Sequence, residues 1–143
     1  MKKSIILSIM SLLILGNSFA QKAKKLEVPV AVKTALANKY PASSSAKITW
    51  ETEKGHYEAN WGGKSGEDNS VQFTPAGEFL EIVKAMPSTQ LPKPVLAYIK
   101  EHYKGAKISE AATVTDAKNK LTYEVEINRK EIIFDEKGNF IKG

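Results

Sequence analysis

Glu124 and Glu126 lie two apart in Tyr123-Glu124-Val125-Glu126-Ile127, a stretch that alternates polar with apolar residues. On a strand both carboxylates project from one face. Paired carboxylates perform acid–base work when burial or crowding moves a pKa. Nothing in the flanking sequence supplies such burial, so the expectation is a pair of solvated acids. Glu58 and Asn60 hold the corresponding places in Tyr57-Glu58-Ala59-Asn60-Trp61, and Gln72 lies on the same wet side of a later stretch. These five, with Lys64 in a glycine-rich loop, are the candidate partner-binding residues: Glu58, Asn60, Gln72, Glu124, Glu126 and Lys64.

Other constellations fall short of a reaction. His56 and His102 are the only histidines and there is no cysteine, so a zinc site would need carboxylates from distant segments. His102 reads as a half-buried residue at the rim of an apolar helix stripe. Gly63-Lys64-Ser65 resembles the end of a phosphate-binding loop, but the full pattern needs a glycine where Glu58 stands. Asp135-Glu136-Lys137-Gly138-Asn139 lacks the alternating oxygen ligands and closing glutamate of a calcium loop, and Phe73-Thr74-Pro75-Ala76-Gly77 fills the same place earlier with no acid. The shared element is a turn, with Gly77 and Gly138 supplying positive φ. No serine stands in a nucleophile-elbow motif, and neither histidine has such a context. No catalytic residue, metal or cofactor is expected, and the chain is read as a non-enzyme.

The elements that position these residues are legible from period. Over Val28 to Tyr40 apolar residues recur every four positions, one face of a helix. Pro29 suits its first turn and Pro41 stops it. Leu91 to Tyr103 reads the same way, with Pro92 and Pro94 in the opening turn and Gly105 at the end. After each helix the period falls to two. Ile48 and Trp50, then Tyr57, Ala59 and Trp61, then Val71 and Phe73 alternate with polar neighbours, as do Leu121, Tyr123, Val125 and Ile127. This is the pattern of antiparallel strands with one buried and one wet face. Trp50, Trp61 and Tyr57 point inward and read as core.

The two series are one series repeated. Val28, Pro29, Val32, Leu36 and Tyr40 recur 63 positions later as Leu91, Pro92, Val95, Ile99 and Tyr103. Phe73-x-x-x-Gly77-x-Phe79 returns as Phe134-x-x-x-Gly138-x-Phe140. A repeat of this length implies two copies of a unit too small to bury a good core alone. The expected class is α+β: two tandem units of one helix and about four antiparallel strands, α-β-β-β-β twice, with the helices on one sheet face. The units run over 28–86 and 92–143, joined by a linker at 87–91. The copies differ in that Trp50 and Trp61 have no tryptophan counterparts. The loop Gly62-Gly63-Lys64-Ser65-Gly66 also shrinks to Asn128-Arg129.

The first twenty residues read as an address. Lys2 and Lys3 precede an apolar run from Ser4 to Leu15, and Ser18-Phe19-Ala20 supplies small residues for cleavage. The run is too short to span a bilayer, and without cysteine no lipid anchor follows. A signal peptide over 1–20 and a flexible lead-in over 21–27 are expected, with export to the periplasm or the medium and no membrane span after cleavage. An exported chain with no cysteine has neither disulfides nor thiolate chemistry. The formal net charge is +5, part of it from Lys2, Lys3 and the lead-in's Lys22, Lys24 and Lys25. No basic stripe with interleaved aromatics exists, so nucleic acid is not an expected partner.

The unit Pro-x-x-Val-x-x-x-Leu-x-x-x-Tyr-Pro, then Tyr-Glu-Ala-x-Trp, then Val-x-Phe-x-x-x-Gly-x-Phe-Leu resembles the PepSY-like domain. Such domains occur in small exported proteins of Bacteroidetes-type bacteria and are described as β-lactamase-inhibitor-like. The resemblance covers Val28 to Lys142 in two copies. It implies tandem helix-plus-sheet units and a binding or inhibitory role rather than catalysis. It carries no inhibitory residue onto this chain. The functional expectation is a non-catalytic binding protein whose open sheet face holds a protein partner, inhibiting or chaperoning an exported hydrolase. The alternative is an envelope binder of a small molecule or ion, using a cleft between the two units.

Overall fold

The computed structural model describes residues 26–143. The signal peptide expected over 1–20, and the lead-in as far as residue 25, lie outside the described residues.

A helix α1 (Val30–Lys39) leads into a 3-10 turn at Pro41–Ser45. Four strands follow: β1 (Thr49–Glu53), β2 (His56–Trp61), β3 (Asn69–Phe73) and β4 (Phe79–Ala85). After a turn at Ser88–Gln90 the chain forms α2 (Lys93–His102), then β5 (Ile108–Asp116), β6 (Leu121–Ile127), β7 (Lys130–Asp135) and β8 (Phe140–Lys142). Pro29 and Pro92 sit just outside the helices as their N-caps, with φ of −56° and −55°. A residue without an N–H loses nothing there, because the first helical donors have no intrahelical acceptor anyway.

All eight strands form one antiparallel sheet in sequence order, β1 through β8. Both groups of four strands are therefore continuous. The join is the β4–β5 ladder, from Glu81 opposite Asp116 to Ala85 opposite Ala112. Two apolar clusters lie on one face. Val32 and Leu36 of α1 pack with Ala59, Trp61, Val71, Phe73 and Ile82, and Trp50 and Tyr57 lean on the same cluster. Leu91, Val95 and Ile99 pack with Ala111, Val125, Ile127, Ile132 and Phe134. Between the clusters the register puts Lys84 opposite Thr113 and Ile82 opposite Thr115. The cores are thus separated by a polar seam along the ladder that joins their strands.

Two turns lock each helix to its own strands. Gly77 and Gly138 have φ of +85° and +83°. A Cβ at Gly77 would meet the Ala31 carbonyl oxygen at 2.8 Å, and one at Gly138 would meet the Pro94 side chain at 3.0 Å. Both positions need glycine for conformation and for close approach to the opening of a helix. In the second turn Asp135 Oδ1 accepts hydrogen bonds from the backbone N–H groups of Lys137 and Asn139. His102 is exposed rather than half-buried. It sits in the last turn of α2, packed against Tyr98 with ring centroids 4.1 Å apart and ring planes tilted by 32°.

Candidate functional site

The site is built on the sheet face that carries no helix. Strand pairing fixes its rows, since residues directly opposite one another share a face. One row runs Glu51, Glu58, Gln72, Glu81, Asp116 across β1 to β5. A second runs Asn60, Ser70, Val83, Val114, Thr122. A third joins Ala85, Ala112, Glu124, Ile133 and Lys142, and a fourth Glu110, Glu126 and Glu131. On a chain of net positive charge this face gathers carboxylates, and Lys142 is its one lysine or arginine among these rows.

The expectation that the face is solvated fails at its centre. Glu58 is 2% exposed, Asn60 1% and Glu124 0%. Side chains of β2 to β5 and the loop between β2 and β3 surround Glu58 and Asn60. Alternation alone had placed these residues on the wet side. Packing around them makes the middle of that side an interior.

This face includes a cavity of about 420 Å³ over β2 to β5. Its polar floor is Glu58, Asn60, Ser70 and Gln72. Val83, Ala85, Ala112 and Met86 form apolar walls. Glu67 and Asp68, from the loop between β2 and β3, and Glu110 of β5 complete the rim. That loop is held over the cavity by the Ala85 N–H, which donates to the Asp68 carbonyl at 2.9 Å. Gln72 Nε2 donates to Glu58 Oε2 at 3.0 Å. Glu58 Oε1 and both side-chain polar atoms of Asn60 are buried without a hydrogen-bond partner. Each such atom costs on the order of 1–3 kcal/mol unless something pairs with it.

Glu124 is in a different situation. It lies opposite Ala112 and Ile133 and does not line the cavity. Neither of its oxygens has a well-formed hydrogen bond. Burial, followed by the nearby charges of Glu131 and Glu81, pushes its carboxyl from 4.5 up to about 8. The Glu131 carboxyl also favours the protonated form by hydrogen bonding, and Lys142 opposes the shift. Glu81 is likewise raised, first by burial and then by Glu58, Asp116, Glu131 and Glu53. Burial and the neighbouring acids thus raise Glu81 and Glu124 alike.

Of the six sequence candidates, Glu58, Asn60 and Gln72 meet in the cavity. Glu126 is half-buried beside it, its Oε1 accepting from Ser109 Oγ at 2.8 Å. Glu124 is sealed, and Lys64 is exposed at the loop tip away from the lining. Sequence reasoning set the 62–69 loop at the edge of this face without singling out its Glu67 and Asp68, and it missed Glu81 and Glu110. Glu81 alternates with Ile82, a signal that was available. Glu110 follows a register shift between Ile108 and Glu110, which breaks the alternation that would have flagged it. The two histidines lie on different elements, and among the described residues no group of three His, Cys, Asp or Glu could hold a metal ion. Nor, among the described residues, is any helix long and apolar enough to cross a membrane.

Comparison with known proteins agrees with this architecture. The family model described as "Putative beta-lactamase-inhibitor-like, PepSY-like" matches residues 56–142 in one run that crosses the β4–α2 connection. The fold is shared with a solved protein of Bacteroides eggerthii described as "putative periplasmic". It is 21% identical, with a TM-score of 0.70 over 82% of this chain and 88% of that one. A BLIP-like protein from Bacteroides fragilis is 22% identical, with a TM-score of 0.65 over 82% of this chain and 86% of that one. A DUF2874 family protein from Bacteroides ovatus is 16% identical, with a TM-score of 0.68 over 82% and 86%. These likenesses are to folds, and fold does not carry function. A search of the curated proteins finds no match.

Proposed function

The chain belongs to the PepSY-like, beta-lactamase-inhibitor-like family, and from that premise we propose that it is an exported, non-catalytic binding protein that engages another protein through the helix-free face of its sheet. The observation that carries the reading is the cavity in that face, floored by Glu58 and Asn60, whose buried polar atoms Glu58 Oε1, Asn60 Oδ1 and Asn60 Nδ2 have no partner among the described residues. A side chain inserted from outside would pair with atoms that the fold leaves unpaired, and such fully desolvated contacts dominate binding energy. The basic, apolar and small-residue order of the first twenty residues supports export, with the periplasm as the working compartment. Inhibition or chaperoning of an exported hydrolase is the form of binding that the family's character favours. The chain reads as two tandem helix-plus-strand copies that share one continuous face.

The test is capture from an envelope fraction by the purified protein, compared with Glu58→Ala, Gln72→Ala and Glu126→Ala variants. Saturable capture that the variants lose, while their thermal unfolding stays close to that of the parent, supports the reading. Capture that survives every change on this face overturns it.

A second reading has an observation of its own. The cavity is lined by β2 to β4 on one side and by β5 and the Pro87–Ser88 segment on the other, so it lies where the two halves meet. A small envelope ligand would then raise the melting temperature by mass action, which a thermal-shift screen of metabolites and ions would detect.

A further inference from the structure

We infer that the cavity receives the ammonium or guanidinium head of a lysine or arginine side chain presented by a partner polypeptide. This deepens the proposed binding role and rests on it. The floor offers acceptors: Glu58 Oε1 and Asn60 Oδ1 are buried and unpartnered, while Glu58 Oε2 is already held by Gln72 Nε2. Glu67, Asp68 and Glu110 stand around the rim, so the field at the mouth is negative even though the chain as a whole is positive. A neutral donor could pair with the floor, but only a cation answers both floor and rim.

The walls narrow the chemistry further. Val83, Ala85, Met86 and Ala112 line the approach, and an apolar approach to an acidic floor matches a long aliphatic stem that ends in a charged head. A divalent metal fits less well, because among the described residues no group of three metal-binding side chains comes together. Free arginine or lysine fits less well too. Each carries an α-carboxylate, and among the described residues no Lys, Arg or His lines the cavity to receive one. A residue within a polypeptide has no such carboxylate. The volume of about 420 Å³ is within the usual range of ligand sites, roughly 300–1,000 Å³.

The experiment titrates the purified protein with end-capped pentapeptides, Ala-Ala-X-Ala-Ala, by calorimetry at low salt. X is arginine, lysine, citrulline or norleucine, and spermidine is run alongside. Saturable binding of the arginine and lysine peptides, at least tenfold tighter than the neutral pair and weakened by added salt, supports the inference. Glu58→Gln should weaken that binding about tenfold or more. Exposed Glu110→Gln, which leaves the interior untouched, should weaken it by a few fold.

Equal affinity for arginine and citrulline overturns the inference, as does cationic binding indifferent to both substitutions. Spermidine binding without peptide binding overturns the polypeptide source. Should every peptide fail while envelope capture remains sensitive to Glu58→Ala, this inference falls and the binding role stands.

Discussion

Glu58 and Glu124 hold the same place in the two halves of the sheet, each in a Tyr-Glu-x-x-x strand and each facing away from the helices. Their neighbours separate them. Glu58 lies opposite Gln72, which donates to it, and its side chain is part of the lining of a cavity. Glu124 lies opposite Ile133, which can donate nothing, with Ala112 on its other side. One carboxyl lines a cavity and is held by a donor across the ladder, and the other is enclosed and driven toward neutrality. A repeated residue does not imply a repeated role, because the residue directly across the ladder decides what a buried polar group can do.

The cores beneath the two acids are the place to break the comparison hardest. Phe73 and Phe134 are both fully buried, one in each apolar cluster. Phe→Ala at either should cost about 3–5 kcal/mol, read by denaturant unfolding. If the continuous sheet makes the halves cooperative, each variant shows one transition at lower denaturant. Two separated transitions in either variant would show that the polar seam at Lys84 and Thr113 lets the halves melt apart.

The next effect belongs to Glu124 alone. Its carboxyl holds its proton more tightly folded than unfolded, at about 8 against 4.5. The folded state therefore binds the extra proton between those values, and stability falls as pH rises through them. The group imposes no penalty below about pH 4.5 and its full penalty above about pH 8. That penalty is on the order of 3 kcal/mol, at roughly 1.4 kcal/mol per pKa unit with allowance for relaxation. Glu124→Gln should flatten the decline in melting temperature between pH 5 and 8.5 and should be more stable than the parent at the upper end. A parent with no such decline would show that Glu124 ionises freely in the fold.

The two glycine turns give a smaller and asymmetric pair. Alanine in the left-handed region costs about 1–2 kcal/mol before any clash. At Gly77 the obstacle is a backbone carbonyl at 2.8 Å, which cannot turn aside, whereas at Gly138 it is a proline side chain at 3.0 Å. Gly77→Ala should therefore lower stability more than Gly138→Ala, and the reverse order would mean that α1 yields more readily than α2.

Much of this was legible from residue spacing. Four-residue periods located both helices, alternation located β1, β2, β3 and β6, four of the eight strands, and the two Gly-x-Phe turns were recognised as turns. Burial of Glu58, Asn60 and Glu124 was not legible. Period two says which residues share a face, but what covers that face depends on neighbouring strands and a loop that pack together only in the fold. The rim was legible only in part. The 62–69 loop was expected at the edge of this face, with neither Glu67 nor Asp68 singled out in it, and Glu110 follows a bulge that interrupts alternation.

The smallest predicted effect is also the most direct test of the opposite-neighbour argument. If Gln72 and Ile133 make the difference between the two acids, exchanging their types should move each acid toward the other's behaviour. Gln72→Ile removes the one donor to Glu58 and places a branched apolar group across the ladder from it. The expected loss is about 1 kcal/mol at neutral pH. Ile133→Gln gives Glu124 a donor at the corresponding place, which favours its ionised form and should shallow the parent's decline between pH 5 and 8.5. The net change near pH 7 should stay within about 1 kcal/mol, since the new hydrogen bond offsets burial of the amide. Melting temperature against pH for the two variants and the parent reads both arms. A pH profile for Ile133→Gln that parallels the parent's would show that the charges of Glu131 and Glu81 govern Glu124, and that the neighbour across the ladder does not.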